Sequence, residues 1–138
     1  MRVEPPLVVV VDDDAAVRTS LARLLGVEGY QVWTCASATD LLARALPASP
    51  LCVLVDVRMP GLGGFELMEI LLADTRRAPT ILMSADADAS LRERAMRDGA
   101  SDFLEKPFDG QRLLDVVQRA LATDGRRGGA GESLYETG

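Results

Sequence analysis

The side chains best suited to chemistry stand where apolar, β-rich segments of the chain end. Three adjacent aspartates, residues 12–14, directly follow the run LVVVV, and Asp56 directly follows LCVLV. Ser84 closes the segment TILMS, and Lys106 comes directly after DFLE. Adjacent carboxylates repel one another and are costly to bury without a partner. The acidic cluster therefore either meets solvent or holds something positive.

Five short apolar segments, separated by stretches with helical spacing of apolar residues, predict alternating strands and helices. The predicted strands are residues 7–11, 31–35, 51–55, 80–84 and 102–105. Ser37 and Asp109 suit helix N-caps, and Gly29 and Gly99 suit helix ends. Such strand–helix repeats with short connections predict an α/β fold with a parallel sheet covered by helices on both faces. We expect a doubly wound, flavodoxin-like (βα)5 arrangement with strand order 2-1-3-4-5.

The carboxyl ends of parallel strands lie at one edge of the sheet, so the polar side chains are expected to share a cleft. Carboxylates with retained waters are what Mg²⁺ prefers, which predicts a magnesium site. Beside such a cation, Asp56 is the natural nucleophile toward a phosphoryl group. Lys106 would be a point-charge partner of carboxylate or phosphoryl oxygens, and Ser84 would donate a hydrogen bond.

Composition bounds the remaining choices. The net charge of −6 gives no electrostatic footprint for nucleic acid, and no apolar run approaches the length of a membrane helix. The chain has no histidine, so any phosphohistidine belongs to a partner. Cys35 and Cys52 lie in apolar segments and are predicted to be buried, reduced thiols in a cytoplasmic protein. We predict one domain over residues 1–123 and a flexible, Gly-rich tail or linker over 124–138.

In order along the chain, the motifs VVDDD, LVDVRMPGLGG, ILMSA and GASDFLEKPF resemble the receiver domain of two-component response regulators. The resemblance covers residues 7 to about 122. It implies that Asp13 binds Mg²⁺ directly, that Asp12 does so through water, and that Asp56 is both ligand and phosphoacceptor. It further implies that the backbone carbonyl of Arg58 is a ligand and that Ser84 and Lys106 hold the phosphoryl group.

The resemblance also implies a switch and partners. The Lys106–Pro107 bond is expected to be cis, and phosphorylation is expected to draw Ser84 and the aromatic Phe103 inward. The partners implied are a sensor histidine kinase and an effector domain, attached or separate, with a phosphorylation-dependent homodimer through helix 4, strand 5 and helix 5. Charged residues are predicted on that face: Arg92, Arg94, Arg97, Asp98, Asp102 and Arg112.

Two positions are particular to this chain. Arg58 stands two residues after Asp56, and Asp86 two residues after Ser84. We hypothesise that Arg58 and Asp86 pair above the phosphoryl group, restrict attacking water and so tune the phosphate lifetime.

Two other functions remain open on the sequence alone. Asp12-x-Asp14 resembles the nucleophile motif of haloacid-dehalogenase-like phosphatases, although Ala16 departs from that pattern and Asp56 would have no role. A pseudo-receiver would keep the acidic site without being phosphorylated. For Asp14 itself, a helix N-cap is favoured over metal ligation.

Overall fold

A computed structural model describes residues 5–47, 51–74, 77–86 and 89–137, with side chains as far as residue 123. In these ranges, five strands alternate with five helices. The strands are β1 (Leu7–Val11), β2 (Gln31–Cys35), β3 (Leu51–Asp56), β4 (Thr80–Ser84) and β5 (Asp102–Glu105). The helices are α1 (Ala15–Val27), α2 (Ala38–Leu42), α3 (Gly64–Ala73), α4 (Ala89–Arg97) and α5 (Gly110–Thr137).

The strands form one parallel sheet in the order β2-β1-β3-β4-β5, as predicted. The winding reverses at β1, which pairs with β2 on one side and β3 on the other. In β1 all residues are buried, as expected for a strand covered by helices on both faces.

Alternation along each central strand divides the core into two apolar layers. Val9 and Val11 of β1 belong to one layer, together with Phe65 of α3. Val8 belongs to the opposite layer, together with Leu25 of α1 and other α1 and α5 side chains. Successive side chains of a strand point to opposite faces, so each central strand contributes to both layers.

The residues predicted to cap or end helices lie at helix ends in the structure. The Asp14 carboxylate accepts from the backbone N–H of Ala16 at 2.8 Å and caps α1. Ser37 caps α2 in the same way, with its hydroxyl accepting from the N–H of Asp40 at 3.1 Å. Gly29 follows α1 with φ of 95°, a conformation that costs glycine little because it has no Cβ.

The backbone of helix α5 continues to Thr137, over the residues for which a flexible tail or linker was predicted. The domain boundary at residue 123 stays a prediction. Among the described helices, none combines the length and apolar character needed to cross a membrane.

Candidate functional site

The sheet brings the predicted polar side chains to one edge. Val11, the last residue of β1, pairs with Val55, so the aspartates after β1 lie beside the end of β3. Asp56 pairs with Met83, one residue before Ser84, and Ser84 pairs with Glu105. The strand ends therefore stand side by side, with Lys106 directly after β5.

Lys106 connects two of the carboxylates. Its Nζ donates to Asp12 Oδ2 at 2.8 Å and to Asp56 Oδ2 at 2.9 Å. The Asp12 side chain is fully buried, whereas those of Asp56 and Lys106 are 14% and 18% exposed. The Lys106–Pro107 peptide bond is cis. One ammonium thus holds two carboxylates, of which Asp56 is open to solvent.

The charge of Lys106 is stabilised in this setting. Burial alone would lower the pKa of its ammonium, but the hydrogen bonds to Asp12 and Asp56 and their negative charges outweigh burial and raise the pKa above its ordinary value. Lys106 is therefore a cation at neutral pH. It offsets part of the repulsion between the two carboxylates.

A third carboxylate completes an oxygen-rich cluster. One carboxylate oxygen from each of Asp12, Asp13 and Asp56 lies within 4.8 Å of the others. Asp12 Oδ1 accepts from the N–H of Asp14 at 2.9 Å, and Asp56 Oδ1 accepts from the N–H of Arg58 at 3.0 Å. Carboxylate oxygens have several acceptor sites each, so these bonds leave capacity for a cation. The donor set fits a hard divalent cation such as Mg²⁺.

A close approach between helix α3 and strand β3 fixes the loop that carries Arg58. A Cβ atom placed on Gly64 would lie 2.6 Å from the carbonyl oxygen of Asp56 and 2.9 Å from Cα of Val57. The N–H of Gly64 also donates to the Val57 carbonyl at 3.1 Å. Sequence reasoning did not single out this glycine, although the adjacent pair Gly63–Gly64 was a signal for such an approach.

Ser84 and Phe103 lie where the sequence predicts, on neighbouring strands. Ser84 is buried, and its hydroxyl accepts from the N–H of Asp86 at 3.1 Å. Phe103 is fully buried in this structure, with the guanidinium carbon of Arg92 5.4 Å from its ring centroid. The structure thus records one position of Phe103, and its movement on phosphorylation stays a prediction.

Charged residues of the predicted output face pair with one another. Asp102 lies near both Arg92 and Arg112, at 3.9 and 3.4 Å. Asp98 pairs with Arg94 at 3.4 Å. Arg97 also lies near Asp98, at 4.0 Å, with a largely exposed side chain. Exposed pairs of this kind contribute little to stability.

The two cysteines are free and buried, as predicted. Burial raises the pKa of the Cys35 thiol. The backbone carbonyl of Cys35 accepts from the N–H of Asp12 at 3.1 Å, so this residue lies next to the site. A thiol with a raised pKa is a poor nucleophile. Cys35 is thus part of the frame that holds Asp12.

The chain is similar to known signalling proteins along most of its length. It is 40% identical over 129 residues to the transcriptional regulatory protein FixJ of Azorhizobium caulinodans, covering 94% of this chain and 61% of that protein. It is 43% identical to the transcriptional regulatory protein TdiR of Thauera aromatica, covering 83% of this chain and 51% of TdiR. The chain therefore spans less than two thirds of the length of these relatives.

Solved structures agree with this similarity. The response regulator StyR superposes with a TM-score of 0.86 at 39% identity, covering 96% of this chain and 67% of that one. The structure of FixJ-N superposes with a TM-score of 0.75 at 34% identity, covering 88% of this chain and 96% of that one. The family model described as the response regulator receiver domain matches residues 8–118. With its acidic site at the carboxyl edge of a 2-1-3-4-5 sheet, the chain belongs to the receiver domain family of two-component response regulators.

Proposed function

We propose that the chain accepts a phosphoryl group on Asp56 from the phosphohistidine of a partner sensor kinase and thereby switches an output. The observation that carries this proposal is the position of Asp56. Its carboxylate is partly exposed, is held by Lys106 at 2.9 Å and lies in the three-carboxylate cluster. A carboxylate in this setting is fixed in orientation yet reachable by a phosphoryl donor.

Burial favours Asp56 over Asp12 as the acceptor. The Asp12 side chain is fully buried, and its two oxygens accept from Lys106 and from the N–H of Asp14. A phosphatase mechanism that uses Asp12 as nucleophile would need an incoming phosphate to reach this carboxylate. The geometry therefore supports the acceptor role of Asp56 more than the phosphatase alternative.

The cluster of Asp12, Asp13 and Asp56 is where we propose that Mg²⁺ binds, with the carbonyl of Arg58 as a further ligand. When bound, the cation supplies positive charge that reduces repulsion between the carboxylates and an incoming phosphoryl group. Asp13 is the exposed member of the cluster, and Asp12 is the buried one.

The chain's own residues then carry the transfer. An Asp56 carboxylate oxygen forms a bond to phosphorus while the bond from phosphorus to the donor nitrogen breaks. The Lys106 ammonium, already at hydrogen-bond distance, offsets the added negative charge. The Ser84 hydroxyl would leave the N–H of Asp86 and donate to a phosphoryl oxygen. The protein would promote only its own phosphorylation and dephosphorylation and would not act as an enzyme on other substrates.

The relatives support a proposal for the output. FixJ and TdiR are named transcriptional regulators and extend beyond the region that this chain matches. We propose that this receiver controls an effector domain, attached or separate, in the cytoplasm, and that phosphorylation promotes pairing through α4, β5 and α5. The net charge of −6 supports action through protein contacts rather than direct binding of nucleic acid.

Intact-mass spectrometry after incubation with acetyl phosphate and Mg²⁺ tests the proposal. We expect one phosphoryl adduct that requires the metal and is lost in Asp56→Asn. The matched control is Asp109→Asn, which changes the acid that caps α5 through the N–H of Arg112 and should keep the adduct. Steady release of phosphate that depends on Asp12 and proceeds without an adduct would favour the phosphatase. Absence of both an adduct and phosphate release would favour the pseudo-receiver.

A further inference from the structure

A side chain outside the acidic cluster holds the backbone from which two of its carboxylates project. Arg18, the fourth residue of α1, donates from Nη1 to the carbonyl oxygen of Asp12 at 2.7 Å. This is a short hydrogen bond from a charged donor, the stronger class of such bonds. Its acceptor is the carbonyl of the peptide that joins Asp12 to Asp13.

Every polar group of Asp12 takes part in a hydrogen bond. Its N–H donates to the carbonyl of Cys35 at 3.1 Å, and its two carboxylate oxygens accept from Asp14 N–H and Lys106 Nζ. The remaining group, the carbonyl, is the one that Arg18 holds. Lys106 thus holds the Asp12 side chain, whereas Arg18 holds the backbone of this turn.

Asp13 has no comparable anchors of its own. Its side chain is exposed, and within the described residues it makes no hydrogen bond or ion pair. Because the peptide group is planar, the direction of the Asp12 carbonyl also sets the direction in which the chain enters Asp13. The position of the Asp13 carboxylate in the cluster therefore depends on how firmly the preceding carbonyl is held.

We propose that Arg18 is a positioning residue for the cation site: by holding the Asp12 carbonyl, it keeps the Asp13 carboxylate within reach of a divalent cation. This inference rests on the proposed function, since it assumes that the cluster binds a cation. Outer contacts that orient metal ligands typically matter about tenfold or more for metal affinity. The neighbouring Arg23 lies on the exposed side of the same helix and offers a matched comparison.

The sign of the change in affinity separates positioning from charge. Removing a positive charge near carboxylates would, by electrostatics alone, strengthen cation binding. Loss of positioning would weaken it. Binding of Mn²⁺ to the full chain, followed by the paramagnetic resonance of the free ion, measures this without any phosphorylation, because Mn²⁺ takes the same oxygen ligands as Mg²⁺.

We expect Arg18→Met to bind Mn²⁺ about tenfold more weakly than the wild type. Arg18→Lys should recover part of the lost affinity, and Arg23→Met should bind Mn²⁺ as tightly as the wild type. Unchanged or tighter binding by Arg18→Met would overturn the inference. Where melting without metal shows that Arg18→Met does not fold, Arg18→Gln replaces it under the same criterion. Two other outcomes would overturn the proposed function and the inference with it. One is that the wild-type chain binds no Mn²⁺, and the other is that Asp13→Asn binds Mn²⁺ as tightly as the wild type.

Discussion

Arg58 and Asp86 form an ion pair that joins the loop after β3 to the loop after β4. Arg58 Nη1 lies 3.2 Å from Asp86 Oδ2, and the two side chains are 70% and 62% exposed. Arg58 is two residues from Asp56, and the N–H of Asp86 donates to the hydroxyl of Ser84. The pairing that the sequence hypothesis requires is therefore present, beside both residues expected to contact a phosphoryl group.

We predict that loss of this pair shortens the phosphate lifetime. Arg58→Ala and Asp86→Ala should each speed autodephosphorylation by up to about fivefold, because an exposed ion pair contributes about 1 kcal/mol at most, which is a factor of about five. The measurement is the decay of the Asp56 adduct by intact mass after removal of the donor.

A double-mutant cycle tests whether the two residues act together. The double variant should decay no faster than the faster single variant if the pair acts as a unit. Arg97→Ala, which removes a largely exposed arginine 4.0 Å from Asp98, is the matched control and should leave decay unchanged. Unchanged decay in both single variants would show that the pair does not restrict attacking water.

Patterns of apolar residues were sufficient to predict the sheet. The runs LVVVV and TILMS are bounded by polar or turn residues, so the strands at 7–11 and 80–84 begin and end where predicted. Placement of Asp56, Ser84 and Lys106 at one edge followed from topology alone, because parallel strands end together. Their grouping needed no knowledge of side-chain contacts.

Contacts to backbone atoms are harder to predict from the sequence than the strands are. Arg18 reaches a carbonyl, and every residue offers one, so no residue pattern marks the bond. The approach of Gly64 to the Asp56 carbonyl depends on how α3 packs against β3, which composition does not fix. Phe103 is buried in this structure, although the sequence resemblance implies both an inward and an outward position of its ring.

Substitution of Gly64 should disturb the phosphoacceptor loop. Because a Cβ there would meet backbone atoms of Asp56 and Val57 at 2.6 and 2.9 Å, Gly64→Ala should destabilise the protein by about 1–3 kcal/mol. Gly26→Ala is the control, since a Cβ in that part of α1 meets nothing within 4 Å and should stabilise by about 0.5 kcal/mol. Urea unfolding measures both, and equal stability of the two variants would contradict the steric argument.

Removal of Lys106 should make stability depend more strongly on a divalent cation. Without its ammonium, the carboxylates of Asp12 and Asp56 face each other uncompensated, and Lys106→Met should cost about 1–3 kcal/mol in the presence of EDTA. Mg²⁺ should recover more stability in this variant than in the wild type, because binding to the folded state stabilises it. Asp56→Asn added to Lys106→Met should relieve part of the loss. Thermal unfolding with and without Mg²⁺ measures these differences, and a Lys106→Met variant as stable as wild type in EDTA would refute them.

Two arginines from different helices meet at the start of β5. Arg92 of α4 donates to the carbonyl of Phe103 at 3.2 Å, and Arg112 of α5 lies 3.5 Å from the same oxygen. Arg92 also lies against the Phe103 ring and near Asp102. An outward movement of Phe103 would have to displace the Arg92 guanidinium, so Arg92 favours the buried ring.

We therefore predict that Arg92→Met loosens Phe103 and costs about 0.5–1 kcal/mol of stability, as expected for a partly exposed cation–π contact. Fluorine resonances of protein labelled with fluorophenylalanine report this directly, because the chain has three phenylalanines and gives three signals to assign. The Phe103 signal should shift or broaden in Arg92→Met and remain unchanged in Arg97→Met, which removes a largely exposed arginine from the same helix. An identical Phe103 signal in Arg92→Met and wild type would mean that packing within the core, rather than Arg92, holds the ring inward.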